Sequence, residues 1–213
     1  ARKWGIILLL ALASLGAALL SMSFGSTQVP FSEILTALMG GETQAYNIVV
    51  YARLPRTLAA LLCGSALAVG GVIIQGVLGN PLAGPNIIGV NAGAGLGAVL
   101  CAALIPTSMT AVPVAAFLGA LGACMLVYTL ARRTGASRIT LVLAGVAISS
   151  MLSAAIDAVS ILFPEAALGA GSFMVGRLSG VTVAALKVPA LLSLLAGAGA
   201  FAMSYELDLL TLG

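Results

Sequence analysis

The sequence predicts an all-α membrane protein, a polytopic bundle of transmembrane helices. Of its 213 residues, 61% are hydrophobic and only 7% are charged, whereas soluble domains carry about 25% charged residues. The apolar residues also gather into several runs near the ~20 residues that a helix needs to cross the hydrocarbon core of a bilayer. So few charges cannot cover a water-facing surface, and we expect the helices to face lipid.

Six crossings are predicted, each from an apolar run bounded by polar residues, glycine or proline. In chain order they cover residues 5–24, 57–78, 87–104, 112–131, 139–163 and 182–203. The first run follows Arg2 and Lys3, as in a signal peptide, but it exceeds the usual apolar core of about 7 to 15 residues and is interpreted as a span. One short amphipathic helix is expected over Phe31–Met39, and a glycine-rich link over residues 169–180.

The positive charges predict the orientation in the membrane, because short cytoplasmic loops are enriched in lysine and arginine. Arg132, Arg133 and Arg138 form the densest cluster, and the two cations before the first span fall on the same side. The N-terminus is therefore expected in the cytoplasm. Four cations are then external and need another explanation: Arg53, Arg56, Arg177 and Lys187.

The composition excludes several chemistries. The chain has no histidine, so histidine-dependent hydrolysis, histidine-ligated metal sites and histidine proton relays are excluded. Its three cysteines stand alone in apolar runs without a CxxC pair, so no metal or redox site is predicted. The scattered cations form no basic stripe, which argues against a nucleic-acid partner.

Glycines at helical spacing predict close packing between helices. Gly89, Gly93 and Gly97 recur every four residues in the third predicted span, and a face without side chains lets a neighbouring helix approach. Gly64 and Gly71 form part of a similar small face in the second span. Such faces are common in membrane bundles and indicate compactness rather than a function.

A polar stripe marks the fifth predicted span. Gly145, Ser149, Ser153 and Asp157 follow one another at four-residue steps, and Asp157 stands ~27 Å along the helix from Ile139, near the edge of the hydrocarbon layer. An ionisable residue at that depth is costly unless it faces water or a partner. Two interpretations stay open: the stripe lines an aqueous path, or the serines bond neighbouring helices and Asp157 extends towards the membrane surface.

Irregular backbone is predicted at Asn80–Pro85, which contains two prolines and a glycine. Such backbone enters a membrane only where it is buried in protein or lines an aqueous cavity. Taken by itself, the composition favours an ordinary cytoplasmic turn.

Linked motifs give the chain a resemblance to a known family. Arg53-Leu54-Pro55-Arg56-Thr57 is followed by Asn80-Pro81-Leu82-Ala83 and Pro85, then by Leu143–Ala147 and Gly176–Gly180. In these segments the chain resembles the FecCD-type permeases, the membrane subunits of ABC importers for iron–siderophore complexes, haem and cobalamin. The resemblance implies a type II importer fold of ten helices and a path formed by two permease copies. It also implies two cytoplasmic ATPases and an external binding protein as partners.

The resemblance further implies roles for individual residues. Arg53 and Arg56 would dock the binding protein on the outside, which would explain two of the external cations. Asn80, Leu82, Ser137 and Thr140 would lie at a cytoplasmic gate. The stripe of Gly145, Ser149, Ser153 and Asp157 would line the translocation path. No catalytic residue, metal or bound cofactor is expected, since ATP would be used by the partner ATPase and the chain has no GxxxxGK[ST] loop.

The sequence departs from the family at Gly84, where relatives often carry an acidic residue, and at Arg177, where they commonly carry a small polar one. It stops at Gly213, about where the family begins its segment of contact with the ATPase. The chain is therefore expected to be the six-helix N-terminal part of one permease domain, residues 1–213, in a bacterial or archaeal inner membrane.

Two other functions stay open at this point. One is an ion-coupled secondary transporter that works through Asp157, and the other is a non-transporting membrane assembly protein built on the glycine faces.

Overall fold

The computed structural model describes residues 2–41, 43–108, 110–135 and 137–212, and every regular element in those ranges is helical. The α-helices are α1 (Arg2–Ser23), α2 (Phe31–Leu38), α3 (Leu54–Leu78), α4 (Val90–Leu104), α5 (Ala111–Arg133), α6 (Arg138–Leu162), α7 (Pro164–Met174), α8 (Val183–Ala202) and α9 (Ser204–Leu212). A π-helical turn (Ile48–Arg53) leads into α3, and a 3-10 turn (Pro85–Ile88) precedes α4.

Five helical stretches in the described ranges are long and apolar enough to cross a membrane: Lys3–Ser23, Ile48–Leu78, Ala111–Arg133, Arg138–Leu162 and Val183–Ala202. The third predicted span is shorter than expected, because α4 has only 15 residues and rises ~22 Å, less than the ~30 Å hydrocarbon core. Its start is delayed because Pro85–Ile88 forms the 3-10 turn and Gly89 adopts φ +78°, a left-handed conformation suited to glycine.

Two of the helices have no counterpart among the predicted elements. The helix α7 begins with Pro164 and covers the first half of the expected glycine-rich link, since proline is favoured at the first helical position and glycine is common in membrane helices. The link itself is confined to the residues around Gly176 and Gly180, both of which have positive φ. The other additional helix is α9, whereas the short helix expected near Phe31 is present as α2.

The chain forms two compact units. The first comprises residues 1–67 and 178–199, and the second residues 68–177 and 200–213. The core of the first unit is Met22, Val29, Ile34, Ala37, Ala45 and Val49. The core of the second unit, at the meeting of α4, α5, α6 and α7, is Ala98, Val99, Ala116, Ile156 and Ala170.

Glycine contacts hold α4 and α5 together in the second unit. A side chain at Gly93 would collide with the carbonyl oxygen of Gly119, and one at Gly97 would collide with that of Ala115. The predicted close packing is confirmed for these two glycines. Gly89 lies outside the helix, at its N-cap, and an added Cβ at Gly64 would meet nothing within 4 Å.

Candidate functional site

A cleft of about 590 Å³ opens among α4, α6 and α7 in the second unit. Its lining combines uncharged polar and apolar residues: Asn86, Asn91, Ala92, Ala94, Gly95, Ser149, Ser153, Ile156, Phe173 and Met174. No charged residue is among them. The cleft therefore offers hydrogen bonds and apolar contacts without a fixed charge.

Two members of the predicted path stripe lie in this cleft. Ser149 and Ser153 are one turn apart on α6, so they share a face. The Ser149 hydroxyl donates to the carbonyl oxygen of Asn86 (3.3 Å), and the Asn91 amide donates to the side-chain oxygen of Asn86. These bonds connect the 3-10 turn to both α4 and α6, while Ser153 remains exposed.

The other two members of the stripe lie elsewhere. Gly145 is buried, and a side chain there would collide with the carbonyl oxygen of Ile87, so this glycine allows α6 to approach the 3-10 turn. Asp157 is exposed and is not among the lining residues. A four-residue step overshoots a 3.6-residue turn by ~40°, so Gly145 and Asp157, three steps apart, point in directions that differ by ~120°.

Several cleft residues have no counterpart in the sequence prediction. Asn86 and Asn91 stand in or beside an apolar span, and polar residues in such segments are candidates for function, so this signal could have found them. Phe173 and Met174 could not be found in this way, because they reach the cleft through α7.

The predicted gate residues lie on two adjoining segments of the second unit. The Asn80 side-chain oxygen accepts a hydrogen bond from the Leu82 N–H (2.9 Å), and this turn leaves Leu82 89% exposed. Ser137 is the N-cap of α6, and its hydroxyl oxygen accepts from the Thr140 N–H (3.1 Å).

Arg138 brings these two segments together. A side chain at Gly79 would collide with the guanidinium of Arg138, so the head of Arg138 lies directly against the residue that precedes Asn80. Gly79 has φ +59°, a conformation that favours glycine. The beginning of α6 therefore adjoins the end of α3.

In the first unit, Arg53 closes the end of α1. Its Nη1 donates to the carbonyl oxygens of Met22 (2.6 Å) and Ser23 (2.9 Å), and its Nη2 donates to the carbonyl oxygen and the hydroxyl of Thr27. The side chain is only 9% exposed. Because the last carbonyls of a helix lack partners within it and carry partial negative charge, an arginine is well placed there.

Arg56 occupies a different environment from Arg53. It is exposed, while Pro55 between the two arginines is fully buried. A cavity of about 450 Å³ adjoins both guanidinium-bearing side chains, with Ser21, Phe24, Gly25, Ser26, Ile48 and Ala52 as its other lining residues. Of the two predicted docking arginines, the structure presents Arg56 at the surface and holds Arg53 inside.

A metal centre of protein side chains is not found in the described ranges, where no three His, Cys, Asp or Glu residues gather closely enough to hold an ion. Of the three cysteines, Cys63 is exposed, Cys101 is buried and Cys124 is partly buried.

Comparison with known proteins supplies the relatives of this chain. The FecD permease of the Fe(3+) dicitrate transport system of Escherichia coli (strain K12) is 35% identical over 212 residues, which cover 99% of this chain and 66% of FecD. The FepD permease of the ferric enterobactin transport system of the same strain is 38% identical over 213 residues, 98% of this chain and 63% of FepD. The chain thus spans slightly less than two thirds of the length of either relative.

A solved structure agrees with these relatives. It is described as a metal-chelate type ABC transporter in an inward-facing conformation, and it matches 98% of this chain and 64% of its own chain with a TM-score of 0.79 and 26% identity. The model of the FecCD transport family matches residues 9–213. The fold, the relatives and this match agree, and the chain belongs to the FecCD transport family.

Proposed function

We propose that the chain is the membrane-spanning permease part of a binding-protein-dependent ABC importer and forms a section of the translocation path for an iron–siderophore complex or a related metal chelate such as haem or cobalamin. The family match over residues 9–213 carries this proposal. The two E. coli relatives, named as permeases for Fe(3+) dicitrate and ferric enterobactin, support an iron chelate as the cargo.

The cleft among α4, α6 and α7 is the proposed section of the path. Its asparagine and serine groups can exchange hydrogen bonds with the polar rim of a chelate, while Phe173 and Met174 contact its apolar parts. A lining without charge suits passage, because a cargo must bind well enough to enter and weakly enough to leave. Gly145 supports this lining through its packing, and Asp157 lies at the exposed side of the same helix.

The proposed gate is the pair of segments joined by Arg138 and Gly79. The exposed Leu82 would move together with the Asn80 turn. The hydrogen bond between Ser137 and Thr140 would keep the first turn of α6, which lies beside that turn, in place. This end of the molecule carries the arginine cluster of the α5–α6 connection, which supports a cytoplasmic location.

The proposed partners are a second permease copy, cytoplasmic ATPase subunits and an external binding protein. Hydrolysis of ATP would take place in the ATPase, so the chain itself would catalyse no reaction. Arg56 is the proposed contact for an acidic group of the binding protein, because it is the exposed member of the pair. Arg53 is the proposed positioning residue, since its bonds to residues 22–27 fix the corner from which Arg56 projects.

Uptake measurements test this function. In cells that lack other permeases for the chelate, the complete permease with its ATPase and binding protein should accumulate radioactive ferric chelate, and omission of either partner should abolish accumulation. Ser153→Leu should strongly reduce uptake by adding bulk to the path, with normal amounts of protein in the membrane.

Ser150→Leu is the matched control, because Ser150 is an exposed neighbour on α6 that does not line the cleft. Equal uptake by both variants would remove α6 from the path. Uptake that persists without the ATPase and binding protein would contradict the importer itself.

A further inference from the structure

An apolar groove of about 210 Å³ lies in the second unit, outside the cleft and the gate segments. Aliphatic side chains line it together with Cys124 and Tyr128 of α5. The last turns of α3 contribute Ile74 and Val77, and the start of α6 contributes Leu141. The groove therefore runs beside three helices near the end at which α3 and α5 stop and α6 begins.

The groove leads to a cationic end through one side chain. Tyr128 lines the groove, and its hydroxyl accepts a hydrogen bond from Nη1 of Arg132 (3.4 Å), one turn further along α5. Arg133 follows directly, and both arginines are exposed. Along α5, the groove residues Cys124 and Tyr128 are thus followed by the guanidinium groups of Arg132 and Arg133.

This end carries positive charge without an acidic residue nearby in the sequence. The sequence contains no Asp or Glu from Thr43 to Ile156, a stretch that includes the whole groove and both arginines. Guanidinium groups match the geometry of phosphate, and basic pockets between membrane helices are typical sites for anionic lipid headgroups.

We propose that this groove binds one anionic phospholipid, with an acyl chain against Val77, Cys124 and Leu141 and the phosphate at Arg132 and Arg133. The Tyr128 hydroxyl lies at the boundary between the two parts of the lipid, as tyrosine commonly does at membrane interfaces. The same chemistry explains why an apolar groove and a cluster of arginines adjoin. This binding is independent of the proposed transport function.

Native mass spectrometry of the chain in nanodiscs tests the proposal. Nanodiscs contain phosphatidylethanolamine either with or without phosphatidylglycerol, and the expected result is one retained phosphatidylglycerol per chain. The double variant Arg132→Gln/Arg133→Gln should lower its retention about tenfold or more. Lys3→Gln/Lys187→Gln removes the same charge at exposed sites of the first unit and should leave retention unchanged.

Substitutions that fill the groove test the acyl-chain part of the site independently of the arginines. Cys124→Phe should exclude the acyl chain and lower retention comparably, whereas Cys63→Phe, at an exposed cysteine outside the groove, should not. If Cys124→Phe does not fold, Val77→Phe fills the same groove. Glycerol phosphate, which carries the headgroup without chains, should not compete.

Three results would overturn the proposal. Equal retention of both lipids would exclude an anionic site. Loss on arginine substitution without loss on groove filling would indicate surface attraction alone. The absence of a retained lipid would indicate that another protein segment covers the groove.

Discussion

Arg53 and Arg56 stand three residues apart in one motif, yet their side chains meet opposite environments. A guanidinium that leaves water loses hydration, and it is stable only if its donors find new acceptors. Arg53 finds them in three carbonyl oxygens and a hydroxyl at the end of α1. Gly25 makes room for it, since a Cβ there would lie 3.0 Å from Nη2 of Arg53.

This difference predicts unequal effects on stability. Arg53→Gln should lower the free energy of unfolding by about 2 kcal/mol or more, because the carbonyl acceptors lose a charged donor. Arg56→Gln should change it by less than about 0.5 kcal/mol, as is usual for exposed substitutions. Thermal unfolding and denaturant titration in detergent measure both variants, and equal stability would contradict the internal role of Arg53.

Association with the proposed binding protein should depend on Arg56 more than on Arg53, the reverse of their effects on stability. Arg56→Glu should weaken association with the proposed binding protein about tenfold or more at low salt, because it places like charges across the interface. High ionic strength should reduce the difference. Binding to the permease in nanodiscs measures it, with Lys187→Glu as an exposed control. Unchanged affinity would leave Arg56 as a contact to lipid headgroups.

The sequence singles out both arginines, because charged residues in an apolar chain are conspicuous, but it does not predict that Arg53 is buried and Arg56 exposed. The acceptors of Arg53 come from residues 22–27, about thirty positions earlier. Only the tertiary fold brings these two parts of the chain together, so the sequence pattern does not reveal the contact. For the same reason, the sequence indicated Ser149 and Ser153 but not the partner Asn86.

At the scale of elements, hydropathy predicted the long helices because lipid requires every backbone group to be bonded within the helix. Hydropathy is less informative where packing between helices determines whether a segment is helical and where a helix begins. The glycines of α7 suggest a link, although Ala166 and Ala170 are buried in the structure and Ala170 belongs to the second unit's core. The late start of α4 depends on the left-handed Gly89, which composition alone does not locate.

Packing between α4 and α5 gives a prediction with a control on the same helix. Gly119→Ala should destabilise the protein by about 1–3 kcal/mol, because the new methyl group would meet the backbone of Gly93. Gly122→Ala should be neutral or slightly stabilising, since its Cβ would meet nothing within 4 Å. Thermal unfolding of the two variants in one detergent checks the difference, and equal midpoints would exclude the tight contact.

For the whole molecule, the orientation in the membrane remains a prediction from charge. The α5–α6 connection carries Arg132, Arg133 and Arg138, and transferring three arginines across the bilayer during insertion is strongly disfavoured. We therefore expect this connection in the cytoplasm and the segment after α1 outside.

Single cysteines test the orientation in intact cells. In a variant with Cys63, Cys101 and Cys124 replaced by alanine, Ser26→Cys should react with a maleimide that cannot cross membranes, and Thr134→Cys should not. Both positions are exposed in the structure, so burial would not explain a difference, and both should react after permeabilisation. Labelling of Thr134→Cys in intact cells would reverse the orientation and place the Asn80 turn, with the proposed gate, on the outer side.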